Sequence, residues 1–200
     1  MFLTRKPLIL ASASPRRQQL LRDLGIDFTV LPADINETPQ AGETSAGFAL
    51  RMAEEKTACI ARQHPAAWVI GADTVVTFDG RILGKPADAA HALKMLRSLR
   101  GRTHQVITGL ALACMDKNRQ ESLTRTTEVS FADVPDAVLS AYIRTGEPLD
   151  KAGAYGIQAK GGFLVRSITG SCTNVIGLPL STCISLLLQC NIITPVQQKK

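Results

Sequence analysis

One run of residues near the N-terminus combines hydroxyl and guanidinium groups, which are groups that bind phosphate. Ser12 and Ser14 precede Pro15, and Arg16 and Arg17 follow it. Because Ser14 is a preferred helix N-cap and Pro15 a preferred first helical residue, the run is predicted to lie where a strand gives way to a helix. A helix start presents free N–H groups, and arginine binds phosphate through paired hydrogen bonds. An ordinary cap followed by a solvated basic turn is the alternative interpretation.

An aspartate lies inside a strongly apolar stretch of the chain. Asp73 is flanked by Val69-Ile70 on one side and Val75-Val76 on the other. A carboxylate among aliphatic side chains must be paired, bound to a metal or placed at a cleft, because its burial alone is costly. Those conditions suit a general base or a magnesium ligand. A structural aspartate at a β-bulge, with Gly71 marking the distortion, is the alternative.

Two lysines could hold an anionic ligand. Lys56 lies close to the apolar stripe of a helix predicted over Ser45–Gln63. This position indicates a partly buried ammonium, which is what a phosphate ligand would have. Alternatively, the aliphatic part of the side chain packs on the protein while the ammonium reaches water. Lys85 lies between Gly84 and Pro86, after a hairpin signal at Asp79-Gly80. Taken alone, Lys85 is typical of solvated surface.

Two loops carry polar candidates. Glu37 belongs to an acidic loop after the second predicted strand, and its carboxylate could bind a divalent cation or only solvent. Gln158 ends a segment from Glu147 that is rich in glycine and small residues. Such residues permit close backbone approach to a ligand, and the Gln158 amide could read a base edge. A glycine-rich turn without a ligand is the alternative.

The elements that must position these residues alternate between strands and helices. The patterns predict strands over Leu8–Ala11, Phe28–Leu31, Trp68–Thr77, His104–Cys114, Thr126–Phe131 and Phe163–Ile168. They predict helices from Pro15 to about Leu24, over Ser45–Gln63, from the Asp88 cap to Gly101, over Pro135–Ile143 with Asp133 as cap, and over Leu180–Leu188. A central hairpin and adjacent long strands favour an α/β fold with a mixed sheet flanked by helices.

Composition excludes several classes of protein. The 200 residues have 45% hydrophobic and 20% charged side chains, which is typical of a globular chain. A net charge of +6 suits anionic ligands, but aromatic residues at 4% disfavour a stacking platform for nucleic acid. Five scattered cysteines without a CxxC motif indicate reduced thiols in a cytoplasmic protein. The uncharged stretch from Ser167 to Gln198 is too polar for a membrane span.

Taken together and in order, these motifs resemble the Maf family of nucleoside triphosphate pyrophosphatases. The resemblance covers nearly the whole chain. Each motif alone is a weak signal of the family, but their joint occurrence in this order is specific. The matching pieces are Leu8–Arg17, Glu37, Lys56, Gly71–Val76, Gly84–Pro86, Gly101–Val106, Gly146–Gln158 and Gly177–Leu180. Within the family, Asp73-Thr74 and Lys151–Gln158 are similar to the branch that acts on dTTP and UTP.

The resemblance implies hydrolysis of a nucleoside triphosphate to the monophosphate and diphosphate. It implies a single domain over residues 1–200, with two lobes, a cleft between them and an inosine-triphosphatase-like fold. Asp73 would be the proton acceptor, and Glu37 and Asp73 would bind Mg²⁺ or Mn²⁺. The implied substrate ligands are Ser12, Arg16, Arg17, Lys56, Thr74, Lys85 and Gln158. Of these, Arg16, Thr74 and Gln158 would set the base preference.

The resemblance also implies a cytoplasmic homodimer that clears surplus or non-standard nucleotides, with a proposed link to arrest of cell division. Two rival functions remain open. The first is the same chemistry on 7-methyl-GTP, which is the substrate of the sister branch. The second is a non-enzymatic septum regulator that binds nucleic acid, which the net charge of +6 motivates. Against it, the basic residues are scattered rather than gathered in a stripe.

Overall fold

The structure is a computed structural model that describes residues 1–196. Its strands are β1 (Phe2–Thr4), β2 (Leu8–Leu10), β3 (Thr29–Val30), β4 (Trp68–Phe78), β5 (Arg81–Leu83), β6 (Thr103–Cys114), β7 (Arg119–Phe131), β8 (Val165–Thr169) and β9 (Ile193–Pro195). Its α-helices are α1 (Pro15–Arg22), α2 (Ser45–Gln63), α3 (Ala89–Leu99), α4 (Asp136–Ile143), α5 (Cys172–Ile176) and α6 (Leu180–Gln189). Short 3₁₀ turns connect several of them.

The main sheet is mixed, as predicted. Its strand order is β3-β2-β4-β6-β7-β8, and β5 pairs with β4 off this path. The pairs β2–β3 and β2–β4 are parallel, whereas β4–β5 and β7–β8 are antiparallel. Strands β1 and β9 form a separate antiparallel pair. The predicted α/β class with a mixed sheet is therefore confirmed.

The chain divides into two compact units. The first contains Met1–Asp73, Thr108–Arg125 and the segment from Gly177 onward, and the second contains Thr74–Ile107 and Thr126–Ile176. The core of the first unit buries Leu10, Ile70 and Leu110 completely or nearly so. The core of the second gathers side chains such as Leu96, Phe131 and Leu164. The single two-lobed domain and its cleft stay predictions.

A close approach between α2 and β4 fixes the geometry of the first unit. A Cβ added at Gly71 would lie 2.3 Å from Thr57 Oγ1 and 2.8 Å from the carbonyl oxygen of Ala53. Those distances are far inside van der Waals contact, so only glycine fits at this point of β4. Gly71 therefore serves helix–strand packing, and the β4 residues next to it come close to α2.

Three local predictions were wrong. The strand predicted from Phe163 begins instead at Val165, because residues Lys160–Leu164 form a 3₁₀ turn. Helix α4 has Pro135 at its N-cap rather than Asp133, and Asp133 is exposed. Strand β7 begins at Arg119, seven residues before the predicted Thr126, since it runs on from the turn at Asn118, which takes a left-handed φ of 46°.

Candidate active site

Three candidate residues of the first unit meet around one ammonium group. Lys56 Nζ lies 2.6 Å from Asp73 Oδ1 and 2.8 Å from Glu37 Oε1. Lys56 comes from α2, Asp73 from β4 and Glu37 from the irregular segment over residues 31–44. The lysine side chain is 10% exposed and that of Asp73 13%, whereas that of Glu37 is 56% exposed. The cluster is thus buried on the sheet side and open on the loop side.

The buried charges in this cluster compensate one another. A lone carboxylate among aliphatic side chains would be expensive to bury, and so would a lone ammonium. Lys56 donates a hydrogen bond to Asp73, so each supplies the partner that the other needs. Pairing is one of the three conditions expected of Asp73, and Lys56 on α2 provides it. The close approach of α2 requires the glycine at position 71, which the alternative interpretation took as the mark of a β-bulge.

Ser12 and Arg17 form a second group in the same unit. Arg17 Nη1 donates to Ser12 Oγ at 3.0 Å, and Arg17 Nε donates to the carbonyl oxygen of Gly177 at 2.7 Å. Burial lowers the pKa of Arg17, and the Asp73 carboxylate acts in the opposite direction. That interaction places Arg17 within electrostatic range of Asp73. The two groups therefore belong to one charged region.

The start of α1 is built as the sequence predicted, except for one bond. Ser14 occupies the N-cap and Pro15 the first turn, but the Ser14 side chain makes no capping hydrogen bond. Instead, the backbone N–H of Ser14 donates to Ser12 Oγ at 3.3 Å. Arg16 is exposed beside Arg17. Hydroxyl and guanidinium groups thus converge at this helix start, as phosphate binding would require.

The remaining candidates belong to the second unit. Lys85 is exposed and lines a pocket of about 800 Å³ beside β5 and α3, together with Arg81, Lys94 and Arg102. Gln158 is exposed, and Thr74 is half-buried in β4. The pocket has four cationic side chains and one carboxylate among its lining residues, so it favours anions.

The segment that carries Gln158 is held by one carboxylate. Glu147 accepts hydrogen bonds from Tyr142 Oη and from the backbone N–H groups of Lys160 and Gly161, each at 3.0 Å. Burial raises the pKa of Glu147, but these donors outweigh it and the pKa lies below its ordinary value. Glu147 is therefore ionised at neutral pH. Its hydrogen bonds link the start of the segment to Lys160 and Gly161, just beyond its end.

The model of the family described as Maf-like protein matches residues 7–190. This chain belongs to the Maf family.

Relatives in the Maf family cover nearly the whole chain. A protein named dTTP/UTP pyrophosphatase from Myxococcus xanthus (strain DK1622) is 52% identical over 180 residues, covering 90% of each chain. A protein of the same name from Desulfotalea psychrophila is 45% identical and covers 97% of this chain and 100% of its own. Among solved structures, the Staphylococcus aureus Ham1 protein is 18% identical with a TM-score of 0.45, covering 64% of this chain and 73% of its own. At that TM-score the likeness carries no weight.

Two carboxylates of this Maf protein are candidates to hold a divalent cation. Glu37 Oε1 and Asp73 Oδ1 both contact Lys56 Nζ, which leaves the second oxygen of each carboxylate outside this ion pair. Magnesium is usually held by one or two carboxylates together with substrate phosphates and water. Among residues 1–196, no three His, Cys, Asp or Glu side chains gather into a metal site. Two carboxylates in one cluster are hard oxygen donors of the kind that such an ion takes, so the residues present fit it.

Sequence reasoning missed several polar contacts around these candidates. His104 is buried with Nε2 at 2.8 Å from Tyr155 Oη, a contact that no motif in the sequence indicates. Burial lowers the pKa of His104 to about 4, so the ring is neutral at neutral pH. The ion pair of Arg51 with Glu43 was also missed. The i,i+4 spacing of Arg51 and Glu55 was a signal for part of that network.

No helix in the described part of the chain is long and apolar enough to cross a membrane.

Proposed function

We propose that this Maf protein hydrolyses dTTP and UTP to the nucleoside monophosphate and diphosphate. The observation that carries the proposal is the charged cluster of the first unit, in which Lys56 bridges Asp73 and Glu37 within electrostatic range of Arg17. The relatives named dTTP/UTP pyrophosphatase supply the reaction and the pyrimidine substrates. Both lines of support agree with the predicted function.

Asp73 is the proton acceptor in this proposal. Lys56 engages Oδ1 and orients the carboxylate, so Oδ2 is the atom that holds water. Asp73 takes one proton from that water as its oxygen forms a bond to the α-phosphorus. The bond between the α-phosphorus and the oxygen bridging to the β-phosphorus breaks, and diphosphate leaves. The position of Asp73 in an open cluster, 13% exposed, supports the assignment, because a general base must lie within hydrogen-bond reach of the water that it activates.

The triphosphate is held by hydrogen bonds and positive charge. Ser12, Arg16 and Arg17 lie at the start of α1, where backbone N–H groups also point outward. Lys56 exchanges part of its carboxylate contact for phosphate oxygen as the negative charge of the leaving group grows. Lys85, Thr74 and Gln158 belong to the second unit and remain substrate ligands by family resemblance.

A divalent cation, Mg²⁺ or Mn²⁺, is part of the proposal. Glu37 and Asp73 would hold it, because both carboxylates belong to the same open cluster. When bound, the ion would neutralise charge on the phosphates and on the leaving diphosphate.

The two rival functions find less support. The relatives described above bear the name dTTP/UTP pyrophosphatase, which favours pyrimidine triphosphates over 7-methyl-GTP. A nucleic-acid-binding surface has no use for Asp73 beside Lys56, because a carboxylate repels the phosphate backbone. A cytoplasmic homodimer that clears surplus nucleotides, with a role in cell-division arrest, completes the proposal by family resemblance.

A panel of triphosphates tests this function. With Mg²⁺ or Mn²⁺ present, we expect kcat/KM for dTTP and UTP to exceed that for 7-methyl-GTP at least about tenfold, a difference of about 1.4 kcal/mol. Diphosphate rather than orthophosphate is the expected product, and a chelator is expected to abolish its release. Preference for 7-methyl-GTP would contradict the assigned branch. Undiminished activity with the chelator would contradict the cation.

A further inference from the structure

An arginine outside the predicted site ties the loop of Glu37 to the helix of Lys56. Arg51 lies on α2, and its guanidinium faces Glu43, with Nε 2.7 Å from Oε1 and Nη2 2.7 Å from Oε2. The same Nη2 donates to the carbonyl oxygen of Thr38 at 3.1 Å. Nη1 donates to Glu55 at 3.1 Å. One side chain therefore connects two points of the segment over residues 31–44 to α2.

The contact to Thr38 lies immediately after Glu37. Asn36 Oδ1 accepts hydrogen bonds from the Thr38 backbone N–H at 3.0 Å and from Thr38 Oγ1 at 2.6 Å, so residues 36–38 form one compact turn. Fixing Thr38 thus fixes the backbone from which the Glu37 side chain extends. The segment has no helix or strand of its own, and its position depends on such side-chain contacts.

The contacts of Arg51 with Glu43 and Thr38 form what we call the clamp, and its Arg51 and Glu43 side chains are largely shielded from solvent. The Arg51 side chain is 20% exposed and that of Glu43 12%. The hydrogen bonds from Arg51, and then that from the Gln40 backbone, lower the pKa of Glu43 to about 2. The guanidinium also lies over the ring of Phe48, which is buried, at 5.5 Å from its centroid. Paired hydrogen bonds on a fixed plane give Arg51 one orientation.

We propose that Arg51 is a positioning residue that holds Glu37 beside Asp73 and thereby sets the affinity of the site for a divalent cation bound with nucleotide. This inference depends on the proposed function, since it assigns Glu37 its role there. Glu37 is the more exposed of the two carboxylates and lies on an irregular segment. A preorganised ligand loses less conformational freedom on binding than a mobile one. Without the contacts of Arg51, Glu37 is chemically unchanged, but its loop must lose conformational freedom when the cation binds.

A double-mutant cycle tests the inference by Mn²⁺ binding without turnover. Electron paramagnetic resonance would measure the Kd of Mn²⁺ in the presence of a non-hydrolysable α,β-imido analogue of UTP. Arg51→Gln is expected to raise that Kd about 10- to 20-fold, at the lower end of the usual range for residues that support metal ligands. Glu37→Gln is expected to raise it at least as much. Because Arg51 acts through Glu37, the double variant should bind within about twofold of Glu37→Gln.

Matched variants separate positioning from folding. Arg62→Gln removes an exposed arginine from the last turn of the same helix and should bind Mn²⁺ like the wild type. Should Arg51→Gln fail to fold, Glu43→Gln weakens the same clamp from the loop side and is expected to raise the Kd in the same direction, again only when Glu37 is present.

Three outcomes would overturn the inference. The first is wild-type Mn²⁺ affinity in folded Arg51→Gln. The second is a double variant in which the loss of Mn²⁺ affinity from Arg51→Gln adds to that from Glu37→Gln. If Glu37→Gln itself binds Mn²⁺ as the wild type does, the proposed role of Glu37 is wrong and the inference falls with it. An impaired Glu37→Gln beside an unimpaired Arg51→Gln would leave the proposed function standing and remove the inference alone.

Discussion

Asp73→Asn is expected to lower kcat for UTP hydrolysis about 10²- to 10⁴-fold, which is the usual contribution of a positioned general base. Asparagine keeps the shape of the side chain, and its amide oxygen can still accept the hydrogen bond that Lys56 donates at 2.6 Å. It cannot accept the proton of the attacking water. The fold should therefore persist while the chemical step fails.

Steady-state kinetics with purified protein would measure this effect, with circular dichroism to verify the fold. Asp116→Asn is the matched control, because Asp116 is exposed and belongs to a 3₁₀ turn of the same unit. That control should retain wild-type turnover. Wild-type turnover in Asp73→Asn would remove Asp73 from the mechanism.

Lys56→Met is expected to reduce both activity and stability. Losing a charged donor to the transition state usually costs about 10²- to 10³-fold in rate, so kcat/KM should fall by that amount. The Asp73 carboxylate, 13% exposed, loses its hydrogen-bonded partner. Leaving a buried acceptor unpaired costs about 1–3 kcal/mol, and the free energy of unfolding should fall accordingly.

Denaturant unfolding and kinetics would check this result. Adding Asp73→Asn to Lys56→Met removes the uncompensated carboxylate, so the double variant should regain stability while staying inactive. Lys117→Met, at an exposed lysine of the first unit, should match the wild type in both measurements. An active and fully stable Lys56→Met protein would show that the bridge has neither role.

The sequence predicted those elements whose local signals agree with their packing. Helix α2 spans Ser45–Gln63 as expected, because its apolar spacing persists over five turns. The hairpin at Asp79-Gly80 also joins β4 to β5 as predicted. Strand β8 was placed too early because Phe163 has the residue type of a strand, yet it lies in a 3₁₀ turn, 48% exposed. There the contacts of the surrounding chain decided the conformation.

The sequence also supplied Glu37, Lys56 and Asp73 as candidates, but not their arrangement. Lys56 and Asp73 are 17 positions apart in the chain, and no spacing rule links a helix to a strand at that distance. Their contact depends on the missing side chain of Gly71, which lets α2 approach β4. The ion pair of Arg51 with Glu43 could not be predicted from helical spacing either, because Glu43 precedes the helix on which Arg51 lies.

Hydrolysis in ¹⁸O-labelled water tests most directly whether water attacks the α-phosphorus. After turnover of UTP, mass spectrometry would locate the label in the products. Attack at the α-phosphorus places one ¹⁸O in the monophosphate and none in the diphosphate. Label in the diphosphate, or release of labelled orthophosphate, would contradict the account, because water would then have attacked the β- or γ-phosphorus.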